Sequence, residues 1–132
     1  MGFVMGIGLD EEFEAIEMMH KFEEVLDSYS GSVAADSSSA MQKTRNTRRA
    51  LAVAYHNVCS VFFLLNDAVA SHACFLKAYR VDSSFTPLLI ELASTSKMQG
   101  DTKSAEKYLL MLEERESDHP AIAKIRESLW SA

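Results

Sequence analysis

The chain is predicted to be all-α: antiparallel helix hairpins stacked in a short solenoid, with flanking helices. Three observations predict this. Apolar residues recur at helical spacing along most of the chain, and no segment sustains the alternation of a half-buried strand. Only two prolines and five glycines occur in 132 residues, which favours long helices over many short strands. Two turn signals, Asn66–Asp67 and Gly100–Asp101, lie 34 residues apart.

Each element has its own justification. The first helix is expected over residues 10–29, where Phe13, Ile16, Met19, Phe22 and Leu26 fall at helical spacing. Asp10, Glu11 and Glu12 favour its N-terminal end, where backbone N–H groups lack partners. Residues 1–29 therefore form an N-terminal helical segment. Residues 30–40, "SGSVAADSSSA", have the composition of a flexible linker, rich in Ser and poor in bulky side chains. The helical pattern resumes at Met41 and runs to about Leu65, with Ala50, Ala54, Val58, Val61, Phe62 and Leu65 on one face. Asn66 and Asp67 both favour turns and helix starts, so a new helix is expected from Asp67 to Val81. Asp82, Ser83 and Ser84 end it. Pro87 suits the first turn of the following helix, where its missing N–H costs little; that helix runs to about Gln99. Gly100–Asp101 repeats the break before a helix to about Glu116, and Pro120 opens a last one ending near Trp130. Short helices joined by tight turns suit antiparallel hairpins.

The 34-residue offset pairs more than the turns. It sets Val58 against Leu92, Ser71 against Ala105, Phe75 against Leu109, Leu76 against Leu110 and Ser83 against Ser117. A helix–turn–helix unit at that period is the signature of tetratricopeptide repeats, and residues 52–119 resemble that family. In the first unit, residues 52–85, Tyr55 stands at the family's first aromatic position and Val58–Cys59 at its Leu-Gly pair. Phe62 stands at the next aromatic, Ser71 at the small residue where the helices cross, and Phe75 and Ala78 at the second helix's aromatic and alanine. Ser83 replaces the usual terminal proline. The second unit, residues 86–119, is looser: Leu89, Leu92, Ala93, Ala105, Leu109 and Leu112 fit, but Ser96 replaces an aromatic, so weaker packing is expected there. Residues 120–131 carry apolar Ile122, Ile125 and Leu129 beside polar Lys124, Arg126, Glu127 and Ser128, which suits a cap with one wet face. The tetratricopeptide-like domain is thus expected over residues 41–132. The N-terminal helix falls outside the register and either caps the other end or folds over the groove.

The resemblance also implies a site. The first helix of each tetratricopeptide pair lines a concave groove. The corresponding residues here are Val53, His56, Asn57, Ser60, Phe63 and Leu64 in the first unit, and Pro87, Ile90, Glu91, Ser94 and Lys97 in the second. A subset of the family clamps the C-terminal carboxylate of heat-shock chaperones with Lys and Asn; those places in the first unit hold His56 and Ser60, so that specificity is not expected. A largely apolar groove suits an amphipathic helix or an extended peptide. Phe63 is the strongest anchor unless it packs beneath the N-terminal helix.

Other chemistry is sparse. His20, His56, His72 and His119 form no i,i+4 pair and no Cys stands at zinc spacing, so no metal is expected. Phosphate loops, dinucleotide turns and nucleophile elbows are missing, and neither cofactor nor catalysis is expected. The net charge of −6 disfavours nucleic acid, whose affinity comes from Lys and Arg on phosphates. No apolar run reaches the roughly 18 residues of a membrane span. Cys59 and Cys74 read as thiols buried in the core, which places the chain in the reducing cytoplasm. Lys43, Arg45, Arg48 and Arg49 form a basic cluster: a solvated helix start, or a dock for an acidic partner or for the acidic N-terminal helix.

The function expected is that of a small adaptor binding a protein or peptide. Two rivals fit the same features. One is a subunit or excised piece of a larger helical scaffold, whose apolar groove a neighbour fills permanently and which self-associates or aggregates when purified alone. The other is a helical secretion-type chaperone that holds an unfolded client.

Overall fold

A computed structural model describes the backbone of residues 2–35 and 41–130, and the side chains of residues 14–31 and 45–129. Every regular element among the described residues is an α-helix: α1 (Gly2–Ala35), α2 (Met41–Leu64), α3 (Ala68–Val81), α4 (Pro87–Met98), α5 (Thr102–Arg115) and α6 (Pro120–Trp130). Consecutive helices pack on one another: α2 on α3, α4 on α5, with α3 against α4, α1 against α2, and α6 against α4 and α5. The chain is a stack of helix hairpins. Helix α1 is longer at both ends than residues 10–29. It takes in the first residues of the Ser-rich stretch; residues 36–40 of that expected linker lie outside the described residues.

The two hairpin turns are built alike. Asn66 and Gly100 both take positive φ, 60° and 78°, a conformation that Gly and Asn tolerate best. Asp67 N–H reaches the carbonyl of Phe62 at 3.0 Å, and Asp101 N–H that of Ser96 at 2.9 Å. These bonds close Schellman turns that satisfy the orphan carbonyls of α2 and α4. The same aspartates then cap the following helices: Asp67 accepts from Ala70 N–H at 3.0 Å and Asp101 from Ser104 N–H at 3.1 Å. The other ends repeat as well. Asp82 N–H bonds the Ala78 carbonyl and Glu116 N–H the Leu112 carbonyl. The 34-residue offset read from the side chains is therefore repeated in backbone hydrogen bonds.

The core forms two clusters. The first gathers Leu51, Tyr55, Cys59, Phe62, Cys74, Phe75, Ala78, Leu88 and Leu92, with Ile16, Met19 and Leu26 of α1 packed on it. The second gathers Leu89, Ala93, Leu109, Leu112, Ile122 and Ile125. Tyr79 and Tyr108 touch both. Ser71 is buried at the crossing of α2 and α3, and its hydroxyl donates to the Cys59 carbonyl at 3.2 Å.

One expectation is overturned. Cys59 and Cys74 are not free thiols; they are joined in a disulfide, with Cα atoms 5.4 Å apart. The physical reason is the crossing itself. A small residue at position 59 lets α3 approach closely, and the turn at Asn66–Asp67 folds residue 74 back onto it. That separation lies inside the range a disulfide spans.

Candidate functional site

Helix α1 lies across the first hairpin. Its Ile16, Met19 and Leu26 face the first core cluster, and the His20 ring stands 4.8 Å from that of Phe62. Polar bonds fix its orientation. Lys77 of α3 donates to Glu23 and to Asp27, each at 2.9 Å, and the Tyr55 hydroxyl donates to Asp27. Burial, the bond to Asp27 and the charges of Asp27 and Glu23 hold the Tyr55 hydroxyl well above its ordinary range. Burial works against the Lys77 charge, but its bonds to Glu23 and Asp27 win and raise its pKa. Of the two places open to this helix, it takes the one capping the end of the stack.

Among the described side chains of α1, none lines the surroundings of Phe63. Phe62 and Phe63 are neighbours on a helix, about 100° apart. Phe62 is wholly buried, which turns Phe63 to the other side of α2. There Phe63 shares a hollow of about 300 Å³ with Ala93, Ser94, Lys97 and Met98 of α4, and Lys124, Ile125 and Ser128 of α6. Its apolar lining residues are Phe63, Ala93, Met98 and Ile125. Lys97, Lys124 and the two serines supply polar groups, and Lys97 Nζ donates to the Ser128 hydroxyl. The N–H of Gly100 closes the C-terminal turn of α4 on the Lys97 carbonyl at 2.9 Å, which fixes that side of the hollow.

Three of the sequence-derived groove residues, Phe63, Ser94 and Lys97, meet in this hollow. The others lie elsewhere on α2 and α4. Val53, Asn57, Leu64 and Pro87 are exposed. His56 packs between the rings of Phe75 and Phe85, at 5.6 and 6.0 Å. Ser60 donates to the His56 carbonyl at 2.8 Å. Ile90 is half-buried against the second core cluster. Burial raises the Glu91 carboxyl above its ordinary range, and nearby His56 partly offsets that. The contribution of α6 was missed because that helix read only as a cap. The signal was available: Lys124 and Ser128 are spaced i,i+4, on a helix face flanked by Ile125.

The basic cluster is divided. Arg49 is exposed but tied to the α3–α4 turn: its Nε donates to Asp82 at 2.5 Å, its Nη2 to Ser84 at 2.9 Å, and its guanidinium lies 4.9 Å over the Phe85 ring. Burial would raise the Asp82 carboxyl, but the bonds from Ser84 and Arg49 hold it below its ordinary range. Arg48 lines a second hollow of about 260 Å³ with Asp27, Tyr55, Lys77 and Arg80, and Arg45 is exposed. The Lys43 side chain lies outside the described residues. No group of three or more His, Cys, Asp or Glu among the described residues could hold a metal ion, and no described helix is long and apolar enough to cross a membrane.

In comparisons with known proteins the chain matches no family model, no curated sequence and no solved structure.

Proposed function

We propose that the chain is a tetratricopeptide-like adaptor whose hollow around Phe63 receives a short segment of a partner protein. The observation that carries this reading is the hollow itself: an open apolar surface with a half-buried aromatic at its edge and two lysines beside it. Support for the tetratricopeptide likeness comes from the hydrogen bonds that recur at the 34-residue offset. A space of this size accepts a few side chains. The fitting ligand is a helix or extended peptide that buries one or two apolar groups and sets a carboxylate near Lys97 or Lys124. The polar groups present form no triad and no metal site, so the surface suits binding better than catalysis.

The compartment bears on the Cys59–Cys74 pair. An adaptor acting in the cytoplasm would carry thiols there, and one in an oxidising compartment the disulfide. Alkylation of the native protein before and after reduction, read by mass spectrometry, separates the two.

A photo-cross-linking residue placed at Ser94 tests the site. In extracts of the native source it should capture a partner, and Phe63→Ala or Lys97→Glu in the same protein should lose that capture while melting like the parent. Undiminished capture by both variants would exclude the hollow.

A further inference from the structure

Helix α1 carries a second apolar row that the fold leaves open. Met18, Phe22, Val25 and Tyr29 are each more than half exposed, at 55%, 51%, 65% and 54%. They follow one another at steps of four, three and four residues, the spacing of a two-helix seam. The row lies about a third of a turn around the helix from Ile16, Met19 and Leu26, which face the core. Glu14 and Lys21 flank the row on its other side, and Glu17 and Glu24 lie farther round the helix, away from both rows. So the described part of α1 has a broad apolar face, of which one row packs on the core and the other is exposed.

We propose that a second copy of this chain covers the row, with the two α1 helices packed antiparallel about a two-fold axis. The row is complementary to itself in that direction. Met18 and Tyr29, and likewise Phe22 and Val25, are symmetric about the point between Glu23 and Glu24. An antiparallel pair therefore layers Phe22 on Val25 of the second copy and Met18 on Tyr29. Each layer joins one aromatic and one aliphatic side chain, so the layers are of similar bulk. A parallel pair would set Phe22 on Phe22 and Val25 on Val25, alternating bulky and thin layers along the seam.

The area agrees. Aromatic side chains can bury about 150–250 Å² each, and these four large side chains expose roughly half their surface. Together they offer on the order of 400 Å² of apolar surface per copy. A standard interface buries about 800 Å² per partner, of which about 65% is apolar in homodimers. The row thus supplies most of the apolar core such a dimer needs. A membrane is a poorer occupant, because the carboxylates beside the row repel anionic headgroups. This interface is separate from the hollow around Phe63, among whose described lining residues none comes from α1, so either can fail without the other.

Sedimentation equilibrium of the full chain tests the proposal. At roughly 100 µM, well above the micromolar limit of standard-size interfaces, the parent should have twice the monomer mass. Phe22→Asp with Val25→Asp should raise the dissociation constant at least about thirtyfold, as loss of central anchors does. Its circular dichroism should match that of the parent. Phe63→Ala should dimerise like the parent. Direction is read by cysteine cross-linking. Met18→Cys mixed with Tyr29→Cys should give mixed disulfide dimers, and Met18→Cys alone should not cross-link to itself. A monomeric parent, an acidic double variant that still dimerises, or efficient self-cross-linking of Met18→Cys would each overturn the proposal.

Discussion

Phe62 and Ser96 stand 34 residues apart at the same place in successive hairpins, and both are fully or almost fully buried. At that place Phe62 is part of the first core cluster, whereas the Ser96 hydroxyl is buried without a hydrogen-bond partner. An unpaired buried hydroxyl costs about 1–3 kcal/mol. Ser96→Ala is therefore expected to leave stability unchanged or raise it by about 1 kcal/mol. Phe75→Ala, which empties the centre of the first cluster, should cost about 3–5 kcal/mol. Urea melts of both variants decide the point; equal losses would mean that the two hairpins do not use the shared register for packing. The Tyr55–Asp27–Lys77 contact gives a second expectation at this scale. Lys77 holds its proton more tightly in the folded chain, and so does the Tyr55 hydroxyl. Above about pH 10, where both groups titrate when unfolded, the native state binds more protons than the unfolded state. Stability should be fully present below that pH and fall as the pH rises beyond it. In urea midpoints from pH 8 to pH 11, Tyr55→Phe with Lys77→Met should show a shallower fall than the parent.

The helix ends show why some elements were legible in the sequence and others were not. Asn66–Asp67 and Gly100–Asp101 announce their turns because each pair performs two local tasks: one residue tolerates positive φ, and the next caps the following helix with its carboxylate. Local chemistry of this kind can be read without knowing what packs on what. The continuation of α1 to Ala35 could not, since Ser30–Ala35 carries no apolar periodicity. The face of α6 toward the hollow was hidden for a related reason: which side of a short helix borders a cavity depends on its neighbours. The disulfide lies between these cases. Cys59 and Cys74 are equidistant from the Asn66–Asp67 turn, so an antiparallel hairpin must bring them level. Reading them as separate core hydrophobes passed over that symmetry. Because the bond closes a loop of about 15 residues, its reduction should cost about 3 kcal/mol. Thermal melts with and without a phosphine reductant measure this, with a Cys59→Ala/Cys74→Ala variant to show that the reductant acts through that bond alone.

At the scale of the whole molecule, stability should be unevenly distributed. In a stack where each hairpin touches only its neighbours, local stability follows local packing and the interfaces between units. The first cluster has nine buried residues, seven of them from the first hairpin, including Tyr55, Phe62 and Phe75, and two, Leu88 and Leu92, from α4; the hairpin also gains the disulfide and the cover of α1. The cluster shared by α4, α5 and α6 has six, none of them aromatic. The clusters are joined by α4, which sets Leu88 and Leu92 in the first and Leu89 and Ala93 in the second, and by Tyr79 and Tyr108, both only partly buried. Opening of α5 and α6 therefore exposes less apolar surface than opening of α2 and α3, and should occur at lower free energy. Native-state hydrogen exchange should show α2 and α3 as the slowest amides, with α5 and α6 exchanging at least about tenfold faster. Reduction of Cys59–Cys74 should then lower protection in α2 and α3 far more than in α5 and α6, because the cross-link constrains only the first hairpin. Equal protection throughout, falling equally on reduction, would instead mean that α4 and the tyrosine contacts couple both clusters into one cooperative unit. In that event the hollow between α2, α4 and α6 would be a rigid surface that accepts only a preformed partner shape. With α6 opening first, its Lys124–Ser128 edge can move, and the hollow can widen around a bulkier segment.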